Sequence, residues 1–301
     1  MGVTKDLIII GAGYWGCGIA IEARKAGKAV MIIDDANPMS GTRAASGICD
    51  PKAYNSQIFA KLLPKRWESN LSLLKDSFDW LLRNGGYQVQ EKFWNQFAGT
   101  APRDGAKCIY IDSPAAFKKP VGDLIYQDTF HRAWTEGGFW KVTVLGHKGI
   151  YTCKHLVVAA GINSGTTLIN CGLSAVNVGG LYGRGLVVRG NPVAPLPCSV
   201  MIRPYCKHTV RTWDGRKDLF KVGDTAEPRP RETAFTALHR VGHHCLGEGM
   251  EVVTISEGYR PVMDEFTVEK VGPNCVLATG GHRVGLGLTG LVAKETLEML
   301  K

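Results

Sequence analysis

The 301-residue sequence predicts an α/β fold: a parallel-sheet domain, discontinuous in sequence, joined to a smaller domain built on an antiparallel sheet. Three observations carry this prediction. The chain opens as strand, glycine turn, helix, strand. Short apolar runs that end in glycine recur in the middle and at the end of the chain. The segments between them read as shorter strands broken by turns.

Each element follows from local pattern. Leu7-Ile8-Ile9-Ile10 is an apolar run of the kind that makes a strand buried on both faces. A glycine cluster follows, then a helix with Ile19, Ala20 and Ala23 on one face, ended by Gly27. Val30-Met31-Ile32-Ile33 is the second strand. Residues 67–83 have helical periodicity through Leu71, Leu74, Phe78, Leu81 and Leu82, and Gly85-Gly86 stops them. Residues 87–97 are strand-like and 102–107 read as a loop. Residues 124–144 suggest strands around Gly137-Gly138, and 155–161 form another buried strand ending in glycine. Residues 179–197, rich in Gly and Pro, read as connecting structure. Residues 201–222 suggest strands broken at Trp213-Asp214-Gly215. Residues 232–245 read as a helix, 276–281 as a strand entering a glycine-rich turn, and 288–300 as a closing helix. The predicted nucleotide domain comprises 1–60, 121–176 and 252–301; the substrate or cap domain comprises 61–120 and 177–251.

Composition narrows the function. With 45% hydrophobic and 21% charged residues, the chain is not disordered throughout. The least charged stretch, 7–21, is too short and glycine-rich to span a membrane, and without a cationic segment and cleavage site near residue 1 secretion is not expected. Nine cysteines without a C-x-x-C pair fit thiols kept reduced in a cytoplasm, the host's if the protein is viral. His239, His243, His244 and Cys245 do not make an open metal site by spacing, and no metal is predicted. The net charge of +9 favours polyanions or acidic substrates; a basic but ordinary enzyme is the alternative.

Gly11-Ala12-Gly13-Tyr14-Trp15-Gly16 is a G-x-G-x-x-G between a buried strand and a helix, the Rossmann-like context. Gly11 permits the turn, Gly13 lets backbone approach a pyrophosphate at the helix N-terminus, and Gly16 permits close helix–strand packing. Asp34, at the end of the second strand, is placed to accept hydrogen bonds from an adenosine ribose. The motif alone does not separate FAD from NAD.

Further elements do. Thr42-Arg43-Ala44-Ala45-Ser46-Gly47, the run from Val157 to Ser164 through Gly161, Gly258-Tyr259-Arg260-Pro261, and the run from Ala278 to Thr289 follow the fingerprint in order. Together they resemble the D-amino-acid oxidase and glycine oxidase family of FAD-dependent oxidoreductases. The resemblance implies FAD, held by Gly11, Gly13, Gly16, Asp34, Thr42, Arg43, Ala45, Ser46, Gly47, Gly161, Gly281, Gly285, Leu286, Gly287 and Leu288. It implies that Arg260 holds the substrate carboxylate, and that Arg283 supports either the substrate or only the flavin. His208 stands where the family usually carries Tyr; it or Tyr205 faces the substrate, or His208 has a solvent or core role. Asp50 also departs from the pattern, and either attracts an amine or caps its loop.

The family implies hydride transfer from the carbon beside an amine, imine hydrolysis, and molecular oxygen as acceptor. Members of the family act on modified tRNA and on bacteriophage DNA. With the +9 charge, and with covering segments expected to be thin, this suggests an N-glycyl group on a pyrimidine of DNA or tRNA, oxidised with release of glyoxylate to leave an aminomethyl base. Basic residues at 61–66 and 229–231 are candidate phosphate contacts. Two other readings are an oxidase of free glycine, sarcosine or a small D-amino acid, and a non-catalytic flavoprotein that matures or binds a partner.

Overall fold

The apolar run at residues 7–10 lies in the middle of a sheet, with its four side chains at most 4% exposed. The computed structural model describes residues 4–50, 71–95, 98, 101, 103–194, 196–203, 206–223, 232–282 and 284–301. In chain order the helices are α1 (Tyr14–Lys25), α2 (Gly41–Ala44), α3 (Leu71–Arg83), α4 (Pro114–Lys118), α5 (Ser164–Asn170), α6 (Glu232–Leu246) and α7 (Thr289–Met299). The strands of the first sheet are β1 (Thr4–Ile10), β2 (Val30–Asp34), β6 (Ile125–Gln127), β7 (Phe130–Glu136), β8 (Phe139–Val144), β9 (Tyr151–Val158), β15 (Thr267–Gly272) and β16 (Cys275–Thr279). Those of the second are β3 (Ile48–Cys49), β4 (Tyr87–Asn95), β5 (Arg103–Tyr110), β10 (Gly179–Arg189), β11 (Cys198–Arg203), β12 (Cys206–Trp213), β13 (Arg216–Gly223) and β14 (Glu251–Val262).

The first sheet has a parallel centre: β6, β2, β1, β9 and β16 run side by side. One edge of β9 pairs with β1 along its length. The other edge is shared, its N-terminal part pairing with β8 and its C-terminal part with β16. Alternation along β1 sends Leu7 and Ile9 into one apolar layer with Ile19 of α1, Trp80 of α3 and Leu291 of α7. Ile8 and Ile10 enter the opposite layer with Trp140, Leu156 and Leu168. That double burial is why the strand carries no polar alternation.

The second sheet runs β14-β10-β13-β12-β11-β4-β5-β3 and is antiparallel except between β4 and β11. It contains as many described strands as the first. One face is covered by α6, whose Leu238, Val241 and Leu246 pack on Leu186, Val188, Phe220 and Val222. Two strands from within the segments expected for the nucleotide domain, β3 and β14, pair in this sheet.

Two expectations are corrected here. Residues 103–107 are not loop but the first part of β5, paired with β4. Residues 179–189 are not connecting structure but an 11-residue strand bonded on both sides. The hairpins expected at Gly137-Gly138 and Asp214-Gly215 are present, with both residues of each pair at positive φ. Among the described residues no helix is long and apolar enough to cross a membrane.

Candidate cofactor and substrate site

A cavity of about 890 Å³ opens where the C-terminal ends of the parallel strands meet the second sheet. Ile10, Ile33, Ala159 and Ala278 form one wall; Thr209, Gly223, Tyr259 and Arg260 form another. Open α/β sheets bind ligands at this end of their strands.

The glycine turn lies on the parallel-sheet wall. Gly11 has φ +104°, and a Cβ there would come 2.5 Å from the Ala159 carbonyl oxygen. Gly13 caps α1 without a side chain, and Thr42 Oγ1 accepts the Tyr14 N–H at 3.2 Å. Gly11 and Gly13 line the cavity. Gly16 does not; its place is inside α1, where a Cβ would collide with the Gly11 carbonyl oxygen. It shapes the turn from behind.

Asp34 lines the cavity, and two of its contacts were not legible in sequence. Its Oδ1 accepts the Ala12 N–H at 2.9 Å, and its Oδ2 lies 3.2 Å from Lys118 Nζ on α4. Each carboxylate oxygen retains a second acceptor site. Lys118 is brought to it by the edge contact of Phe117 with Tyr14. Cys17, beside the fingerprint, is a buried thiol whose pKa burial pushes up to about 12, so it is not a nucleophile at neutral pH.

Of the small-residue loop, Thr42, Ala45, Ser46 and Gly47 line the cavity. Arg43 does not: it is exposed, while its carbonyl accepts the Ser256 hydroxyl. Gly161, at positive φ, lines the cavity and accepts Thr279 Oγ1 at 3.1 Å.

In the closing loop, Gly281, Gly285 and Leu286 line the cavity. The indole N–H of Trp15 donates to the Gly285 carbonyl at 2.7 Å and fixes the loop from below. Gly287 and Leu288 are set back in the core. The Gly287 carbonyl accepts Ser77 Oγ at 2.7 Å, and Leu288, fully buried, starts α7. Arg283 lies outside the described residues, as do Tyr205 and the basic stretches 61–66 and 229–231. The His282 N–H donates to Pro261 O at 3.0 Å, tying this loop to the end of β14.

Arg260 is on β14, 6% exposed and on the cavity lining. Its guanidinium lies over Gly183 of β10. His208, also 6% exposed and lining, stands opposite Val200 on β11. Asp50 is a further lining residue. Sequence reading missed Gly183, Lys118 and two buried basic side chains, Arg211 and Lys221, which are register partners on β12 and β13. His239 and His243 meet edge to face, and His244 meets Trp94 in the same way. Among the described residues no three His, Cys, Asp or Glu side chains are grouped to hold a metal.

The lining suits a dinucleotide. The glycine turn presents Gly11 and Gly13 to the cavity without side chains, beside Thr42, and the Asp34 carboxylate sits at the end of β2. The sequence pattern of the family DAO, FAD dependent oxidoreductase, matches residues 6–107 and 115–299. No curated protein matches the chain. Among solved structures, L-alpha-glycerophosphate oxidase from Mycoplasma pneumoniae with FAD bound is similar at a TM-score of 0.71 and 15% identity, over 99% of this chain and 95% of that one. Glycine oxidase from Bacillus cereus ATCC 14579 is similar at 0.69 and 15%, over 98% and 94%. Iminodiacetate oxidase from Chelativorans sp. BNC1 is similar at 0.67 and 16%, over 96% and 94%. At these identities the neighbours speak for the fold, and the family pattern, which spans nearly the whole chain, carries the assignment: the chain belongs to the DAO family of FAD-dependent oxidoreductases, and FAD is its cofactor.

Proposed function

We propose that the chain oxidises an amine that carries a carboxylate, and that Arg260 anchors that carboxylate. The observation that supports this most is the guanidinium of Arg260, buried on the antiparallel-sheet wall of the cavity with Gly183 leaving it room. A planar guanidinium meets a carboxylate through two parallel hydrogen bonds.

In this reading Gly11, Gly13 and Thr42 hold the pyrophosphate and Asp34 the ribose of FAD. Ala45, Ser46 and Gly47 line its ribityl side, and Gly161, Gly281, Gly285 and Leu286 its ring. FAD supplies the two-electron acceptor. The chain's own residues fix the geometry: Arg260 orients the substrate, Trp15 braces the loop at Gly285, and His208 closes the wall near the substrate. Arg283 supports either substrate or flavin. The substrate C–N bond is oxidised to an imine, and water splits the imine into an amine and an aldehyde. Molecular oxygen is the terminal acceptor.

The finer proposal is a glycyl group attached through nitrogen to a pyrimidine methylene in DNA or tRNA, giving glyoxylate and an aminomethyl base. The +9 charge supports it, since phosphates are bound by Lys and Arg. A base in duplex must be extruded to reach the cavity. The names of two structural neighbours, glycine oxidase and iminodiacetate oxidase, favour a second reading in which the amine is small and free.

The test treats modified DNA or tRNA and the matching free nucleoside with holoprotein at low and raised salt, followed by digestion and mass spectrometry. The proposal expects conversion to the aminomethyl base, with only polymer turnover falling as salt rises. Efficient oxidation of free glycine or sarcosine, with no conversion of polymer at low salt, returns the small-amine reading.

A further inference from the structure

Arg211, on the first strand of the hairpin that turns at Trp213-Asp214-Gly215, is 2% exposed. Its guanidinium lies over the rings of Tyr110 and Trp213, 5.2 Å from each centroid. Its polar edge is aimed at backbone. Nε donates to Ser46 O at 2.8 Å, and Nη2 donates to Ile111 O and, at 3.0 Å, to Asp112 O. Nη1 is buried with no hydrogen-bond partner among the described residues.

The carbonyl that receives Nε belongs to the loop that lines the cavity. Gly47 has φ +65°, and its carbonyl accepts the Ile111 N–H at 2.9 Å. A Cβ on Gly47 would come 2.9 Å from both Arg211 Nη2 and Ile111 O. The Ser46-Gly47 turn is thus held on two sides, by the chain leaving β5 and by a side chain from the middle of the second sheet. On the neighbouring strand Lys221 is fully buried, its amine 5.1 Å from the Trp213 ring. The Arg211 guanidinium and the buried amine of Lys221 therefore stand behind a wall whose lining includes Ser46, Gly47 and Gly223. Burying a guanidinium is costly, and three backbone carbonyls offset that only in part.

We propose that Arg211 is a positioning residue for the cofactor. It locks the Ser46-Gly47 turn into the shape that receives FAD, and its buried charge makes this wall favourable to the electron-rich, reduced form of the flavin. The proposal rests on the reading that the ribityl chain of FAD runs along residues 45–47, with the ring next to it.

The experiment uses Arg211→Met and Arg211→Lys, with two readouts other than turnover: the Kd for FAD of the apoprotein and the midpoint potential of the bound flavin. Urea unfolding of each apoprotein separates cofactor loss from misfolding. Arg211→Met is expected to bind FAD about tenfold or more weakly, because hydrogen bonds from a charged donor to the loop and strand end are lost. Its flavin is expected to have a more negative potential, because a positive charge near an anion-forming group is gone. Arg211→Lys is expected to keep most of the potential but not the affinity, since one ammonium does not reproduce the planar fork. Wild-type affinity and potential in both variants would overturn the proposal. If Arg211→Met does not fold, wild-type FAD affinity in Arg211→Lys overturns it by itself. Neither readout depends on the substrate, so failure of the amine-oxidase reading is distinguishable from failure of this one.

Discussion

Gly183 lies directly beneath the guanidinium of Arg260: a methyl group built on Gly183 would overlap Nη1 and come 2.6 Å from Nη2. The absence of a side chain on β10 is therefore what lets the Arg of β14 lie flat on the cavity wall. Gly183→Ala is expected to keep its FAD but to lower kcat/KM for a carboxylate-bearing amine by about ten- to a hundredfold, because the anchor is pushed aside by about an ångström. Flavin content and steady-state kinetics of the variant check this; unchanged kinetics would mean that the seat of Arg260 does not matter.

Arg260→Ala removes the anchor itself. It is expected to retain FAD and to lose about 2–4 kcal/mol in kcat/KM. Arg260→Lys should also be poor, because an ammonium meets a carboxylate at a point rather than through a fork. Kinetics of both variants on one amine provide the comparison, and equal activity of the Lys variant and wild type would argue against a bidentate contact.

Gly16 acts on the cofactor from outside the cavity. A Cβ there meets the Gly11 carbonyl oxygen, a backbone atom with no freedom to swing away. Gly16→Ala is expected to destabilise the fold by about 1–3 kcal/mol through overpacking. It should also purify with little flavin, since Gly11 and the start of α1 must move. Flavin absorbance per protein and a urea unfolding curve test the two effects separately.

Asp6 gives a pH dependence with a definite sign. It accepts the Ala29 N–H at 2.9 Å and pairs with Lys154 at 3.3 Å, joining β1 to the chain entering β2 and to β9. The Ala29 hydrogen bond, then that from Lys154, holds its pKa below the ordinary 3.8. Its contribution is complete above that ordinary value and is lost as pH falls through the lower folded value. Asp6→Asn should therefore be less stable than wild type at neutral pH, and the difference should shrink in acid. Urea midpoints at the two pH values show it.

What the sequence revealed depended on whether a residue's neighbours in the chain are also its neighbours in space. The opening strand, turn, helix and strand were legible because Leu7 to Asp34 close on themselves. The 179–189 stretch was not, because its glycines answer to distant residues. Gly180 is covered by Ile162 and Tyr259, Gly183 by Arg260, and Gly185 by Lys221. A strand whose empty positions receive side chains from elsewhere looks like a loop in one dimension. Arg211 was hidden for the same reason: its partners at Ser46, Ile111 and Asp112 are about a hundred residues or more away. Of the proposed cofactor residues, Gly287 and Leu288 continue a glycine-rich run whose earlier members line the cavity. The run turns inward to start α7, a change of direction that composition does not record.

The central claim is that this site takes electrons from the carbon beside an amine and holds the substrate by its carboxylate through Arg260. The most direct measurement mixes holoprotein anaerobically with amines that bear a carboxylate, with the same amines lacking it, and with glycerol phosphate, while following bleaching of the flavin absorbance. Rapid bleaching by the carboxylate-bearing amine, slow bleaching by its decarboxylated counterpart, and loss of the difference in Arg260→Ala are the predicted result. Bleaching by glycerol phosphate and by none of the amines would contradict it.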